Sequence, residues 1–401
     1  MTEPSPGGPL AGITVVDLTR VLSGPYCTMM LGDMGARVIK IEQPGRGDDT
    51  RAWGPPFQNG ESTYFLSINR NKQSVTLNLK NPDGRRLLDQ LIANADVLVE
   101  NFRPGTLERM GLGPRDLAGR CPRLVYCSVS GFGHTGPRRL QPGYDAVMQA
   151  EGGLMSITGP SDGPGFRLGI AITDIVSGMF AAFGVAMALL ARHQSGRGQF
   201  IDVAMFDAVA ALLTYQAGIH FATGESPPRI GNRHPTIVPY ETLETADEEL
   251  VVAAGNDQLW QRFCHVIGLD VLADDPRFAT NKDRVQARDE LRPILVERLR
   301  TKGAADWIEQ LRGSGVPCGV VRDLEQVFAD PQLLERAMVV ALEHPVAGAI
   351  KALGVPIKLA DTPGAVRTAP PVLGQHTDVV LAGELGVSAD ELARLRAEGA
   401  I

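Results

Sequence analysis

Residues 13–42 read ITVVDLTRVLSGPYCTMMLGDMGARVIKIE, and this stretch decides the class of fold. ITVVDL (13–18) and VIKIE (38–42) are short apolar runs of the kind that form buried strands. Between them, Gly24-Pro25 opens a helical segment that reaches Met34, and Gly35 ends it. Two parallel strands need a crossover, and a helix of this length supplies one. The stretch therefore predicts a β-loop-α-β unit.

The alternation of strands and helices continues along the chain. Further strands are predicted at 74–79, 96–99 and 124–129, helices at 82–94 and 104–111, and apolar helices at 175–195 and 202–222. A loop-rich break at 223–235 precedes a second, shorter alternation that ends near 330. These patterns predict an α/β protein with an open sheet in residues 1–222, a small α/β domain at 223–330 and a C-terminal segment at 331–401.

Composition excludes several classes of protein. The net charge is −7 and aromatic residues make up 5 %, so the chain lacks the positive charge and stacking surfaces of nucleic-acid binders. Five cysteines without a C-x-x-C pair argue against a disulfide framework and a zinc ribbon. No signal peptide is recognisable, so we expect a cytoplasmic protein. The uncharged run 175–191 is rich in Gly and Ala, which favours a buried helix over a membrane span.

The usual cofactor and nucleophile motifs are missing. No G-x-G-x-x-G follows the first strand, and the chain has neither a P-loop nor a G-x-S-x-G elbow. None of the seven histidines forms a helical i, i+4 pair with a Glu between them. We therefore expect neither a metal nor a nucleotide redox cofactor.

One carboxylate has a distinctive position. Asp174 follows the strand-like run LGIAIT (168–173) and precedes the apolar helix, so it is predicted at or near the N-cap of that helix. The helix dipole there favours the ionised carboxylate, and a poorly hydrated carboxylate is a possible nucleophile. From the spacing alone, a plain helix cap is the better interpretation.

Eight sequence blocks, taken in order, resemble the family III coenzyme A transferases, also called the CaiB/BaiF family. The blocks are DLTRVLSGP (17–25), GARVIKIE (35–42), NRNK (69–72), ENFRPG (100–105), RMG (109–111), GYD (143–145), GRGQ leading into DVAM (196–205) and PVLGQHT (371–377). In that family the aspartate that matches Asp174 is the catalytic nucleophile. The resemblance implies that Asp174 attacks an acyl-CoA thioester and passes through an aspartyl–acyl anhydride and an aspartyl-CoA thioester.

The resemblance also implies where coenzyme A binds. Val21 and Leu22 would line the start of the pocket, and Tyr144 would lie near the thioester. Pantetheine and adenine would contact the residues of the fourth and fifth blocks, which are Asn101, Phe102, Arg109 and Met110. Arg70 and Lys72 are candidates for the phosphates. Each of these side chains could instead be an ordinary loop or surface residue.

Substrate and assembly are implied more loosely. The segment 231–240 followed by Gly255-Asn256-Asp257 is similar to a dicarboxylate branch that uses succinyl-CoA as donor, and departs from the glycine-run loop of oxalate-type members. Gly255 and Asn256 would line the substrate site, and Arg167, Arg233 and His234 are candidates for a distal carboxylate. Two alternatives stay open: a CoA-binding paralogue without chemistry, and a 2-methylacyl-CoA racemase, for which Tyr144 replaces the histidine base.

Family members are interlocked homodimers. Their N- and C-terminal parts form one large Rossmann-like domain, and a smaller α/β domain lies between these parts in the sequence. We therefore expect this chain to form such a homodimer, with residues 331–401 returning to the large domain. Its expected partners are an acyl-CoA and a carboxylic acid, without nucleic acid or membrane.

Overall fold

The structure is a computed structural model that describes residues 7–401 of the chain. It contains two compact units. The first unit consists of the residues up to Leu154, Arg167–Gly218 and Pro331–Ile401. The second consists of Met155–Phe166 and Ile219–Asp330. The short segment 155–166, which the sequence pattern assigned to 1–222, thus groups with the second unit.

The strands are β1 (Thr14–Asp17), β2 (Arg37–Glu42), β3 (Phe57–Gln58), β4 (Glu61–Ser62), β5 (Lys72–Thr76), β6 (Val97–Glu100), β7 (Val125–Ser130), β8 (Phe200–Ala204), β9 (Tyr240–Glu244), β10 (Glu249–Ala253), β11 (Cys318–Val320), β12 (Val339–His344) and β13 (Gly348–Leu353). The helices up to residue 223 are α1 (Ser23–Asp33), α2 (Thr63–Ile68), α3 (Pro82–Ala93), α4 (Pro114–Arg120), α5 (Asp145–Glu151), α6 (Leu154–Ile157), α7 (Ile172–Ser195), α8 (Met205–Ala211) and α9 (Thr214–Thr223). The later helices are α10 (Asp257–Ile267), α11 (Asp270–Ala273), α12 (Asn281–Gln286), α13 (Arg288–Leu299), α14 (Ala304–Gly313), α15 (Leu324–Phe328), α16 (Pro331–Glu335), α17 (Thr377–Leu385) and α18 (Ala389–Ala397).

The first unit is built on a six-stranded parallel sheet. Its strand order is β5-β2-β1-β6-β7-β8, and all five pairings are parallel. Alternate side chains of each strand enter two hydrophobic cores, as the neighbours Val15 and Val16 of β1 do. Helices α1 and α7 cover one face, and α3, α17 and α18 cover the other. The α/β class with an open parallel sheet is therefore confirmed.

The C-terminal segment completes this unit. The hydroxyl of Thr377 accepts a hydrogen bond from the backbone N–H of Thr76 at 3.0 Å, next to the edge strand β5. Further along, the backbone N–H of Asn78 donates to the carbonyl of Ala400 at 2.8 Å. Leu395 is fully buried in the same core as the sheet. The last residues of the chain thus fold against its first strands.

The second unit has its own core. Its sheet is antiparallel with the order β11-β10-β9. The large apolar side chains of its helices, such as Trp260, Phe263 and Trp307, are fully buried. The predicted smaller alternation of strands and helices corresponds to this unit.

Three local predictions were wrong. Residues 168–171 form no strand, because the backbone N–H of Leu168 bonds to the side chain of Gln149 and not to a neighbouring strand. Residues 200–204 form the edge strand β8 before the helical segment begins. The segment 104–111 contains a single 3₁₀ turn at Glu108–Met110.

Candidate active site

The loops after β1 and β6 meet at the carboxyl edge of the sheet. β1 pairs with β2, the next strand of this sheet in the chain, on one side and with β6 on the other. The strand order therefore reverses direction between β1 and β6, which makes this a topological switch point. Ligands of open α/β sheets bind at such points. The side-chain amide of Asn101, after β6, accepts a hydrogen bond from the Arg20 N–H at 2.9 Å and donates to the Arg20 carbonyl at 2.7 Å. Asn101 therefore joins the two loops.

Buried charges hold the loop after β1 from below. The Lys40 ammonium donates to the Thr19 carbonyl at 2.8 Å and to the Asp48 carboxylate at 2.9 Å. Asp17 accepts from the Thr19 N–H at 2.8 Å, and Asp48 accepts from the Val21 N–H at 3.2 Å. Burial opposes the ionisation of Asp48, but the charge and hydrogen bond of Lys40, together with two hydrogen bonds from Thr50, lower the pKa of Asp48 to about 2.

These hydrogen bonds hold Val21 in an unfavourable backbone conformation. Val21 has a φ angle of 69°, in the left-handed region that β-branched residues rarely adopt. Such a conformation costs about 1–3 kcal/mol and persists where the surroundings over-determine it. Val21 immediately precedes Leu22 and Ser23, with which α1 begins. The strain therefore lies where the first loop turns into the first helix.

Asp174 lies in the first turn of α7, and α7 begins at Ile172. Ser23 at the start of α1 faces this carboxylate, and its backbone N–H and hydroxyl lower the pKa of Asp174. Burial raises the pKa of Asp174, the nearby charge of Asp145 raises it further, and the two Ser23 donors lower it, with the pKa reaching about 7. A partly buried carboxylate near neutrality, held against the start of another helix, is a candidate nucleophile.

Asp174 is not the cap of its own helix. The N-cap position is occupied by Ala171, which has no side-chain oxygen. The carboxylate of Asp145 accepts from the N–H of Thr173 at 2.9 Å, and so satisfies a donor of the first turn. Asp174 was predicted at or near the N-cap and lies three residues beyond it in the first turn, while Asp145 satisfies the Thr173 N–H from 28 residues earlier in the sequence than Thr173. This leaves the Asp174 carboxylate facing Ser23.

Three cavities surround this point in the first unit. The Asp174 cavity, of about 370 Å³, is lined by Val21, Ser23, Asn101, Phe102, Tyr144 and Asp174, among others. The Lys80 cavity, of about 290 Å³, is lined by Arg46, Lys80, Met110 and others. Four residues line both of these cavities, namely Arg20, Asp49, Phe102 and Thr106. A third cavity, of about 640 Å³, is lined by Leu22, Tyr64, Arg167 and several methionines.

Most of the predicted coenzyme A residues lie around the first two cavities. Val21, Asn101, Phe102 and Tyr144 line the Asp174 cavity, and Met110 lines the Lys80 cavity. Leu22 lines the third cavity and lies beside the other predicted residues in sequence only. Arg109 lines none of the three, and its guanidinium donates to the Thr106 hydroxyl at 3.4 Å.

Arg70 and Lys72 have other partners than the predicted phosphates. The Arg70 guanidinium forms a buried, bidentate ion pair with Asp33, at 2.9 and 2.6 Å. The Lys72 ammonium is buried beneath the sheet edge, 2.9 Å from the Pro25 carbonyl and 3.2 Å from Asp17. Burial lowers the pKa of Lys72 to about 8, although Asp17 opposes this. Neither side chain lines the Asp174 or the Lys80 cavity, so the structure does not support their assignment to phosphates.

The predicted substrate residues other than Arg167 lie in the second unit. Asn256 is the N-cap of α10, and its side chain accepts from the Leu259 N–H at 2.9 Å. A methyl group added at Gly255 would meet no atom within 4 Å. The His234 ring stacks on Tyr240, with centroids 5.2 Å apart. Burial and Arg288 lower the pKa of His234.

Three functional candidates were absent from the sequence prediction. Ser23 lowers the pKa of Asp174, and Asp145 raises it. The third is Tyr64 on α2, whose pKa burial raises to about 12 with a contribution from the charge of Asp174. Ser23 directly precedes the Gly24-Pro25 helix start, and Asp145 belongs to one of the matched blocks. Both residues could therefore have been found from the sequence. Nothing in the sequence pointed to Tyr64.

The sequence profile of the family described as CoA-transferase family III matches residues 10–377. The succinyl-CoA:glutarate CoA-transferase of Mus musculus is 44 % identical over 98 % of this chain and 90 % of its own length. The acetyl-CoA:oxalate CoA-transferase of Acetobacter aceti is 43 % identical over 90 % of this chain and 92 % of its own. The crystal structure of a CaiB/BaiF family protein from Brucella suis superimposes with a TM-score of 0.84 at 40 % identity, covering 94 % of this chain and all of the other.

The profile spans both ends of the parallel sheet and the loops that line the Asp174 cavity. The relatives match nearly the full chain at an identity that accidental similarity does not reach. The solved relative has the same fold. The resemblance seen in the eight sequence blocks is confirmed, and this protein is an enzyme of CoA-transferase family III.

Proposed function

We propose that this enzyme moves coenzyme A from a short dicarboxylyl-CoA, with succinyl-CoA as the preferred candidate, to a second carboxylic acid, with Asp174 as the nucleophile. One observation carries the proposal: Asp145 caps the first turn of α7 in place of Asp174, and the Asp174 carboxylate lies beside Ser23 at the wall of a cavity that both residues line. A carboxylate is suited to this chemistry because its anhydride and thioester stay reactive, whereas a serine ester would trap the acyl group.

The proposed reaction balances without a net proton transfer. An oxygen of Asp174 attacks the thioester carbonyl, the carbon–sulfur bond breaks, and the thiolate leaves with the electron pair. The thiolate then attacks the aspartyl carbonyl of the resulting anhydride and expels the donor carboxylate. The acceptor carboxylate attacks the aspartyl-CoA thioester, and the thiolate returns to the acceptor carbonyl. Acyl-CoA leaves and the Asp174 carboxylate is regenerated.

The neighbours of Asp174 have separate roles in this sequence. Ser23 would orient the attacking carboxylate. While the Asp174 carboxyl group becomes an acyl group, the backbone N–H and hydroxyl of Ser23 would continue to donate to the same oxygen. Asp145 would raise the basicity of Asp174 and hold the first turn of α7. The strained Val21 and the Asn101 link fix the loop that carries Ser23 into α1.

The two cavities that share four residues suit the long coenzyme. We place pantetheine in the Asp174 cavity and the nucleotide in the Lys80 cavity. Arg20 supports this placement, because its guanidinium lies 5.3 Å from the Phe102 ring centroid at the junction of the two. Lys80 is an exposed cation at the Lys80 cavity, and Arg46, also exposed, forms a surface ion pair there with Asp49 at 2.7 Å. These two replace the buried Arg70 and Lys72 as phosphate candidates.

The choice of donor rests on the relatives and on one cation. The mouse relative is named for succinyl-CoA and glutarate, and the Acetobacter aceti relative for acetyl-CoA and oxalate, at almost equal identity. Arg167 lies in the first unit near the start of α7, where a second carboxylate could reach it. Racemisation is the weaker alternative, since no histidine lines the Asp174 cavity in the part of the chain that the structure describes.

For assembly, we propose the interlocked homodimer that the family resemblance implies, without a nucleic-acid or membrane partner. The negative net charge and the exposed apolar face of α7 support this choice. The five unpaired thiols are compatible with the proposed cytoplasmic location.

The test uses Asp174→Ala and Asp174→Asn in the full-length enzyme. We expect exchange between succinyl-CoA and isotopically labelled succinate to fall by at least about a thousandfold. Hydroxylamine added with succinyl-CoA should convert Asp174 of the unmodified enzyme to a hydroxamate that peptide mass spectrometry locates. Asp207→Asn is the matched control, because Asp207 is an exposed aspartate in the first turn of α8. Exchange retained in Asp174→Ala would overturn the proposal.

A further inference from the structure

The third cavity differs from the other two in its lining. Its volume is about 640 Å³, and its walls come from α1, α2, the start of α7 and the segment around β13. Five of the 11 methionines of the protein line it: Met29, Met30, Met34, Met179 and Met338. Methionine side chains are flexible and polarisable, so they adapt to apolar ligands of different shape. We call it the methionine cavity.

The methionine cavity lies on the other side of the Asp174 turn from the Asp174 cavity. Ala171, Ile175 and Met179 line it at four-residue intervals, so one face of α7 forms part of its wall. Asp174, on the adjacent face, lines the Asp174 cavity. The start of α1 shows the same division, because Leu22 lines the methionine cavity and Ser23 lines the Asp174 cavity. The nucleophile therefore stands at the wall between them.

A thioester has two arms that diverge from its carbonyl carbon. The Asp174 cavity continues into the Lys80 cavity, whose cations suit the coenzyme arm. The acyl arm then requires a space on the opposite side of Asp174. Building on the proposed function, we infer that the methionine cavity is the acyl subsite, that it accepts acids longer than five carbons, and that Arg167 selects those with a carboxylate at the far end.

The volume of the methionine cavity supports the inference that it accepts acids longer than five carbons. A protein cavity of about 150 Å³ holds a benzene ring of six carbons. The methionine cavity has about 640 Å³, within the range of sites for whole ligands. A succinyl or glutaryl group would leave most of it unfilled. Linear acyl groups of six to eight carbons would bury more apolar surface against the methionines.

The charged side chains that line the methionine cavity support the inference that Arg167 selects acids with a second carboxylate. Two arginines line it, but Arg70 is neutralised by its bidentate ion pair with Asp33. Arg167 is exposed, and its guanidinium donates to the Leu168 carbonyl at 3.1 Å. No salt bridge joins Arg167 to an acidic side chain among residues 7–401. A guanidinium binds a carboxylate in bidentate geometry, so a dicarboxylate would supply the missing charge.

The experiment measures acceptor specificity with succinyl-CoA as donor. Linear dicarboxylic acids of four to ten carbons are compared with monocarboxylic acids of equal length, and the new CoA thioesters are quantified by mass spectrometry. We expect dicarboxylates of six to eight carbons to react with kcat/KM at least equal to that of glutarate. Monocarboxylates of the same length should react at least about tenfold more slowly.

Substitutions at two positions, Arg167 and Ile357, locate the effect. Arg167→Met should raise KM for the dicarboxylates about tenfold or more, leave kcat nearly unchanged, and leave the monocarboxylates unaffected, while Arg167→Lys should restore part of the loss. Ile357→Trp, which fills one end of the cavity, should suppress acceptors of eight carbons and spare succinate. Arg197→Met is the matched control, because Arg197 is exposed and lines none of the described cavities.

Hydroxylamine trapping at Asp174 separates this inference from the proposed function. If trapping succeeds but no acid longer than five carbons is accepted, the methionine cavity is not the acyl subsite. If Arg167→Met impairs both kinds of acid equally, Arg167 does not read the second carboxylate. If trapping fails with every acyl-CoA, the proposed function itself is wrong.

Discussion

At the scale of single residues, opposing influences set the ionisation of Asp174. Burial and the charge of Asp145 favour the protonated carboxyl group, and the two Ser23 donors favour the carboxylate. With a pKa of about 7, the group is more basic than an ordinary aspartate and is still largely ionised in mildly alkaline solution. A more basic carboxylate is a stronger nucleophile toward a thioester.

This balance predicts the pH dependence of the reaction. Only the ionised form of Asp174 can attack, so kcat/KM should rise as the pH increases through about 7. Asp145→Asn removes the negative charge beside Asp174. We therefore expect the rise in kcat/KM to occur about one pH unit lower. The measurement is kcat/KM for the donor acyl-CoA between pH 5 and 9.

Asp145→Ala serves as the comparison, because it removes both the charge and the acceptor for the Thr173 N–H. It should lower the pKa of Asp174 as well, and in addition reduce thermal stability through loss of the cap, by about 1 kcal/mol. If kcat/KM still rises near pH 7 in both variants, the role assigned to Asp145 is wrong.

At the scale of elements, α1 and α7 approach closely enough to bring Ser23 to Asp174. A methyl group added at Gly178 of α7 would lie 2.6 Å from the Ser23 carbonyl oxygen and 3.2 Å from Tyr26. Gly178→Ala should therefore separate the two helices. We expect kcat to fall by about 10- to 100-fold and stability by about 1–3 kcal/mol.

Kinetic assays and chemical denaturation of Gly178→Ala check this prediction. Gly218→Ala is the matched control, because Gly218 also lies within a helix of the first unit but has no atom within 4 Å of an added methyl group. It should be neutral or slightly stabilising. Equal effects of the two substitutions would show that helix spacing is not the cause.

The elements also show what could be predicted from the sequence. The strands at 13–18 and 38–42 were predictable because a buried parallel strand is apolar throughout and needs no knowledge of its neighbours. The run 168–173 has a similar apolar composition but forms no strand, because its hydrogen-bond partners are side chains of α5, which lie 19 and 28 residues earlier. Lys72 is similar: its position beneath the sheet depends on Asp17, which lies far away in the sequence.

The site was predictable to a corresponding extent. Asp174 and the residues of the Asp174 cavity were found through matched blocks, which reflect chemistry that relatives share. The separation of Leu22 from Ser23 into different cavities could not be predicted, since it depends on how α7 packs against the start of α1. The pKa of Asp174 also depends on that packing.

At the scale of the whole molecule, α7 has two contrasting faces. Ala181 and Ala188 are buried in the core on the sheet side, and Gly178 is buried against the start of α1. The opposite face exposes large apolar side chains, including Phe183 at 63 % and Leu190 at 59 %. By length and composition α7 could span a membrane, and 39 % of its most apolar window is buried. Its small-residue face is buried in the core of the first unit, and Arg192 near its end forms an ion pair with Asp96.

A second copy of the chain would cover the exposed face, as the proposed homodimer requires. An apolar surface of this extent is unfavourable in water and marks an interaction site. We expect the wild-type protein to sediment with the mass of two chains at micromolar concentration. The double variant Phe183→Asp with Leu190→Asp should shift toward the mass of one chain, because two buried carboxylates would oppose association. Analytical ultracentrifugation measures both.

The control is Val271→Asp, which places the same charge on an isolated exposed apolar residue of the second unit and should leave the dimer intact. Circular dichroism of the double variant must match the wild type, so that loss of association is not loss of folding. If the wild type sediments as a single chain and instead floats with neutral lipid vesicles, lipid covers this face and the homodimer proposal is wrong. If it sediments as two chains in both forms, the dimer exists but α7 does not form its contact.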